Sequence, residues 1–406
     1  MQRRRRVVSV GSTVAITLGS VVVSVIVTAI ITAIITVGVM NPFGLFEYQK
    51  FWDFWQTSNR IRMFHYDEVT PQQLFDGAMR GMTESVGDDY TRFINRNDAD
   101  EFRELLEGGF YGIGIHIVMD DYDNVMVLAP IPGTPAYRAG LASGDIILQV
   151  NGEEIIDTFQ GRNLMRGPEG TDVTVTVRKS ETGETADLVI TRERIDVPTV
   201  QSRIIGENVG YLEISQFSAT TANEFATALR ELGGEDLDGI IIDLRYNGGG
   251  ILDSAVEIAG NFLPRGTLVV YSQGRNAQSR REYRTRNSSP IEDVPIVLIA
   301  NNYSASASEL LVGGLRDNER AVLVGETTFG KGLIQMTTPV GGGMLNITNA
   351  QFFTPNGTVI EGVGITPDVY VEFPRDWQPP RNVNMPYEWD PQINAAMLEI
   401  FEMIAR

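Results

Sequence analysis

The sequence predicts an α/β chain built from an N-terminal apolar helix, a helical segment, a β-rich insert and a core of alternating strands and helices. Three observations carry this. Val21–Met40 is a run of twenty residues without a charge, preceded by Arg3-Arg4-Arg5-Arg6. Between residues 108 and 195 apolar side chains alternate with period two, as at Val173, Val175 and Val177, and Asn151-Gly152 marks a hairpin turn. From 205 to 372 the apolar runs Ile240-Ile241-Ile242 and Val294–Ala300 each lead into a glycine- or serine-rich turn and then a helical pattern. Such units favour a parallel sheet with sites at the carboxyl ends of its strands.

Taken in order, residues 1–40 read as a cytoplasmic Arg cluster and a membrane anchor. A helix over Val21–Met40 spans roughly 30 Å, one hydrocarbon core, and the four Arg place the N-terminus inside and the rest of the chain outside. The competing reading is a cleaved signal peptide, but the run exceeds an apolar region of roughly 7–15 residues and no A-x-A site precedes Asn41. The expected location is a bacterial cell membrane, single-pass, with the remainder in the periplasm or at the cell exterior. Residues 41–107 read as helical, with Phe51, Trp52, Phe54 and Trp55 expected mostly to pack on the core domain, against the alternative of sitting at the membrane interface, and Thr70 before Pro71 starts a helix. Residues 108–195 are the β-rich insert and 196–372 the core. In the tail, 373–406, a Pro-rich linker precedes a short amphipathic helix over Ala395–Ile404. The polar, Arg-rich stretch Asn276–Asp293 reads as a solvated loop.

Composition narrows the chemistry. The net charge is −19, and because residues 1–40 hold four Arg and no acid, the rest carries −23. Such a surface repels phosphate backbones, which argues against nucleic acid as a partner; solubility accounts for the acidity. With no cysteine there is no thiol nucleophile, thiolate metal site or disulfide. No metal-ligand cluster and no cofactor motif is visible. Histidine is scarce, with only His65 and His116, and lysine is limited to Lys50, Lys179 and Lys331 against thirty Arg. Arginine cannot release its proton in a protein, whereas a desolvated lysine can.

Ser304-Ala305-Ser306-Ala307-Ser308-Glu309 places a serine among small residues at a helix start. Its plain reading is a capping box, Ser306-x-x-Glu309; the chemical reading needs a base. His116 falls in the insert and His65 in the helical segment, and the G-x-S-x-G elbow is absent, which disfavours a Ser–His–Asp triad. Gly325–Gly332 offers Lys331. That stretch fails as a P-loop because Gly332 replaces the Mg²⁺-binding hydroxyl and a strand, Leu333–Thr337, follows.

The pattern Ala139-Gly140-Leu141 through Gly144-Asp145, Ile147-Leu148, Val150 and Asn151-Gly152 resembles a PDZ domain. The resemblance implies capture of a peptide C-terminus by β-augmentation, with Tyr111, Gly112, Ile113 and Gly114 as the carboxylate cradle; alternatively the glycines only permit a tight turn. Arg166, in the turn Arg166–Gly170, is expected to couple this domain to the core, against the reading of a solvated turn residue.

Four motifs together resemble the C-terminal processing peptidases. They are Asp243-Leu244-Arg245-x-Asn247-Gly248-Gly249, Ser304–Glu309, Gly325-Glu326-x-Thr328-Phe329-Gly330-Lys331-Gly332 and Gly364-Ile365-x-Pro367-Asp368. The resemblance implies a crotonase/ClpP-like protease core with an inserted PDZ domain. It makes Ser306 the nucleophile, Lys331 the general base and Gln335 a polar support for the lysine. If residues 331, 333 and 335 lie on one strand they share a face, which would let Gln335 reach Lys331. Oxyanion donors are expected from the N–H groups of Gly248 and Ala307, with Gly249 as an alternative for the former. Asn302-Tyr303 departs from the family's usual Gly or Thr before the serines, with no expected effect on the nucleophile. The implied partners are polypeptide substrates with free, apolar C-termini; a homo-oligomer or an adaptor stays open. Two other readings compete: an inactive membrane-tethered PDZ module, which an intact Ser306–Lys331–Gln335 set disfavours, and a crotonase-like acyl-CoA enzyme, which export and the PDZ pattern oppose.

Overall fold

A computed structural model of the chain describes residues 21, 23–32, 48–120, 122–286, 291–373 and 387–405. It divides into two units, Met1–Met82 and Thr83–Arg406.

In the first unit Val21 and residues 23–32 are helical and exposed. Among the described residues no helix is long and apolar enough to cross a membrane. Residues 22 and 33–40 of the predicted anchor lie outside the described residues, as do Arg3–Arg6. The helix Tyr48–Phe64 carries Phe51, Trp52, Phe54 and Trp55, all about half exposed. Trp52 and Trp55 stack on each other at 4.8 Å. The helix beginning at Pro71 starts as expected, with the Thr70 N–H and hydroxyl donating to Gln73 Oε1 and the Gln73 N–H returning to Thr70 Oγ1.

In the second unit the insert is a sheet ordered Ile115–Met119, Val125–Pro130, Ile146–Val150, Asp172–Arg178, Thr185–Thr191. The alternation read in the sequence sends Val173, Val175 and Val177 inward, where they are completely buried with Val127 and Val150. Asn151 and Gly152 both adopt positive φ, 53° and 81°, as a type I′ hairpin requires. Gly109–Gly112 pairs with Glu193–Asp196 and closes the insert's neck.

The core sheet runs Val200–Ile205, Val209–Ile214, Gly239–Asp243, Ile296–Ala300, Val322–Gly325, Val369–Tyr370, parallel from the second strand onward. Gly239–Asp243 and Ile296–Ala300 are buried at every position, because both faces of the sheet are covered. Helices Thr221–Leu232, Leu252–Ala259 and Ala307–Asp317 contribute to the core on one face. On the other, Pro391–Ala405 seats Ile393, Ala396, Met397 and Ile400 against Ile241, Val297, Ile299 and Val324. The amphipathic helix read over Ala395–Ile404 is therefore present, begins earlier, and is part of the core. A second sheet orders Arg92–Ile94, Gly343–Phe353, Leu268–Gly274 and Arg281–Arg284, with Leu333–Val340 also paired to Gly343–Phe353. Arg281–Arg284 corrects the expected loop: Tyr283 packs on the main core and draws its Arg-rich neighbours into a ladder with Leu268–Gly274.

Candidate active site

Two turns leave the carboxyl ends of neighbouring parallel strands and are stitched to each other. The first, Tyr246–Gly250, follows Gly239–Asp243; the second, Asn301–Ser306, follows Ile296–Ala300. Buried Asn247 organises both. Its side-chain amide donates to Ile214 O, its Oδ1 accepts the Gly249 N–H, and its carbonyl accepts the Ala305 N–H and the Ser308 hydroxyl. Ser304 Oγ donates to Leu244 O at 2.8 Å. Gly249, at φ +100°, is pressed on this seam, and a Cβ there would lie 2.7 Å from both Ala305 O and Ser306 Cβ. Only glycine fits.

Ser306 ends the second turn with φ 55° and ψ −116°, a conformation that costs roughly 1–3 kcal/mol and survives only where its surroundings enforce it. Ser306 and Glu309 form the capping box that the sequence offered. The enforcing group is Glu309, which is completely buried. Its Oε2 accepts the Ser306 N–H at 2.8 Å and the Lys331 N–H at 2.9 Å. Its Oε1 accepts the Gly330 N–H at 2.7 Å and the Thr328 hydroxyl at 2.6 Å. One carboxylate thus ties the backbone of Ser306 to that of Lys331. Burial pushes its pKa up against these four donors.

Ser306, Lys331, Gln335, Gly248 and Ala307 line one cavity of about 1230 Å³. The N–H groups of Gly248 and Ala307 are not taken up by hydrogen bonds among the described residues, whereas that of Gly249 is held by Asn247. Gly248 is therefore the better placed of the two glycines. Lys331 Nζ lies 4.6 Å from the centre of the Tyr90 ring. Burial, and then the charge of Arg92, hold its pKa below the usual lysine value, while Glu361 and Glu309 oppose the shift. Among the described residues no hydrogen bond joins Lys331 to Ser306.

Gln335 departs from expectation. Lys331 precedes the strand Leu333–Val340 instead of lying on it, and a register shift between Ile334 and Gln335 breaks the alternation that would put 331 and 335 on one face. The Gln335 amide donates to Leu333 O at 3.2 Å. His116, in the exposed edge strand of the insert, is not among the cavity's lining residues.

The four residues expected to form a carboxylate cradle divide between a strand and a turn. Tyr111 and Gly112 belong to the strand paired with Glu193–Asp196, which leaves Ile113 and Gly114 as the turn. Gly114 sits at φ +78° with Thr134 so close that a Cβ would meet it at 2.5 Å. Arg166 forms an ion pair of 2.8 Å with Glu104 and lies 5.1 Å from the centre of the Phe110 ring, on the neck of the insert. It is not a solvated turn residue.

Sequence reasoning missed three features. Asn247 was visible only as part of a motif. Glu309 forms the capping box read in the sequence, but its reach to Thr328, Gly330 and Lys331 has no local signal there. Arg245 bonds Asp243 and reaches Asp390 at 2.8 Å and Gln392 at 3.2 Å, fastening the tail to the strand end before the glycine turn. Burial would lower the Arg245 pKa, but the charge and hydrogen bonds of Asp243, together with the charges of Asp390 and Tyr211, raise it. Nothing local in the sequence announces that contact. Tyr303, the departure before the serines, stacks on Tyr246 at 5.4 Å, and Asn301 Oδ1 accepts both their N–H groups.

Peptidase family S41 matches residues 208–371, and a PDZ domain family matches 126–179. The carboxy-terminal-processing protease of Bartonella bacilliformis is 34% identical over 322 residues, 78% of this chain and 73% of that protein. Carboxy-terminal processing protease CtpB of Bacillus subtilis is 33% identical over 76% of this chain, but the match spans only 65% of its own length. For a probable CtpA-like serine protease of Staphylococcus aureus the figures are 35%, 77% and 62%. Among solved structures, the photosystem II D1 C-terminal processing protease is 28% identical, covering 78% of this chain and 86% of that one, with a TM-score of 0.45. On the strength of the Bartonella relative in particular, this chain belongs to peptidase family S41, the carboxy-terminal-processing proteases, which are serine peptidases with a PDZ domain.

Proposed function

We propose that the chain is a Ser–Lys endopeptidase, on a core read as crotonase/ClpP-like, which selects extracytoplasmic polypeptides by their free, apolar C-termini. The observation that carries the reading is the Glu309 carboxylate holding Ser306 and Lys331 on one cavity wall, with Lys331 desolvated. On this reading Lys331 swings off Tyr90 and, neutral, takes the proton of Ser306 as Oγ attacks the peptide carbonyl. The Gly248 and Ala307 N–H groups receive the oxyanion, each donor contributing roughly 3–4 kcal/mol. The Lys331 ammonium then protonates the departing amine. Water, deprotonated by Lys331, next hydrolyses the ester on Ser306. Gln335 supports the lysine only after its amide leaves Leu333 O.

The insert would bind the substrate's C-terminus along the edge strand Ile115–Met119 beside the helix Thr158–Met165, with the Ile113–Gly114 turn donating to the carboxylate. The test is cleavage of an unstructured polypeptide with an apolar C-terminus by the full chain. Ser306→Ala should reduce cleavage to background. Amidating the substrate's carboxylate should raise KM, because charge-assisted contacts are lost. Persistent cleavage by Ser306→Ala removes the nucleophile, and equal KM values for acid and amide remove the cradle.

The membrane reading rests on Arg3–Arg6 and the apolar run after them. A reporter fused after Arg406 should be active only outside the cytoplasm; a cytoplasmic signal overturns this topology.

A further inference from the structure

The wall of the catalytic cavity opposes the charge of the rest of the chain. Between residues 265 and 286 the sequence holds six Arg and one acid, Glu282, in a chain of net charge −19. Four of them, Arg265, Arg281, Arg284 and Arg286, line the cavity that contains Ser306 and Lys331, and all four are exposed. Arg280 and Arg284 share the carboxylate of Glu282 at 3.1 and 2.7 Å. One acid cannot neutralise the group. Asp89 and Asp253 also line the cavity, so its net charge is still positive when Arg92 and Lys331 are added.

The backbone of the same residues is open. Arg281–Arg284 is the last strand of its sheet and, among the described residues, is paired on one side only, with Leu268–Gly274. An edge strand presents unpaired N–H and C=O groups to any extended chain that lies beside it, and arginines on such an edge deter pairing with a copy of themselves while attracting a chain of opposite charge.

We propose that the edge strand Arg281–Arg284, with Arg265 and Arg286, is a substrate-docking wall that seats an extended, acidic polypeptide segment and leads it to Ser306. The proposal rests on the protease reading and adds the substrate's chemical class. A polypeptide fits better than a nucleic acid, because the basic wall lies inside the peptidase cavity and offers a strand edge that only a peptide backbone can extend.

The test measures binding to the full-length Ser306→Ala protein, so that turnover does not enter. Two fluorescent peptides are compared, one with four Glu and one with Gln in their place, both amidated to silence the PDZ domain. At about 50 mM salt the acidic peptide should bind roughly tenfold tighter, and the ratio should collapse at about 0.5 M salt as screening shortens the reach of the charges. In Arg281→Gln/Arg286→Gln the ratio should fall to about two or three, and Arg281→Lys/Arg286→Lys should restore most of it. A ratio near one in the parent, an unchanged ratio in the Gln variant, or tighter binding of a single-stranded oligonucleotide than of the acidic peptide overturns the proposal. If the Ser306-bearing protein cleaves neither peptide nor any other substrate while the ratio persists, the protease reading falls and the basic docking wall stands.

Discussion

Lys331→Arg is expected to lower turnover by about 10²-fold or more, close to the effect of Lys331→Ala. Arginine keeps the charge and much of the length but cannot accept a proton at any usable pH. A purely electrostatic lysine would instead let arginine retain most of the activity, and near wild-type cleavage by Lys331→Arg, in a protein that Ser306→Ala silences, would end the Ser–Lys assignment. The pH profile has a definite sign. Burial and Arg92 lower the lysine's pKa, so the neutral fraction grows as pH rises through that lowered value, and kcat/KM should climb with it and then level off. Stability follows the same sign. Between the lowered folded pKa and the ordinary unfolded one, the unfolded chain binds more protons, so stability rises with pH across that window. Lys331→Met should therefore raise Tm at neutral pH while abolishing cleavage. A lower Tm in that variant would mean that the contact with Tyr90 outweighs the desolvation of the amine.

The parts of the site legible in the sequence were those fixed by local chemistry. Ile240–Ile242 and Val294–Ala300 announced buried parallel strands because both faces of the sheet are covered, and the serine- and glycine-rich turns after them could only lie at its carboxyl edge. A lysine between glycines, in a chain with three lysines, stood out by composition. What escaped was decided by contacts between distant residues. Gln335 was assigned to the face of Lys331 by counting along an ideal strand, and one register shift undid the count. Arg281–Arg284 looked like loop because its residues favour solvent; the ladder to Leu268–Gly274 and the packing of Tyr283 make it a strand. Asp390 and Gln392 meet Arg245 across more than a hundred residues of chain, a distance over which no periodicity carries information.

Glu309→Ala is expected to abolish cleavage and to destabilise the fold markedly. The carboxylate accepts three backbone N–H groups and one hydroxyl at a site without solvent exposure. Removing it orphans the N–H groups of Ser306, Gly330 and Lys331, at about 1–3 kcal/mol each, and each kcal/mol lowers Tm by roughly 2–4 °C in a domain of this size. Glu309→Gln separates positioning from folding. With its amide oxygen toward Ser306 and Lys331 it keeps both of those bonds. Its NH₂ then faces the Thr328 hydroxyl, which can turn to accept it although it already receives the Ile365 N–H at 2.7 Å. The Gly330 N–H and the Thr328 O–H lose their acceptor, against three N–H groups and that hydroxyl in Glu309→Ala, so Glu309→Gln should cost about 1–3 kcal/mol for each group left unpaired and retain cleavage above that of Glu309→Ala. The distinguishing measurement is steady-state kinetics on the folded fraction of each variant. A carboxylate that positions Ser306 against Lys331 should be felt in kcat with KM little changed. If Glu309→Ala folds with an unchanged kcat, the strained backbone of Ser306 is held by the seam around Asn247 alone, and Glu309 has no part in aligning the pair.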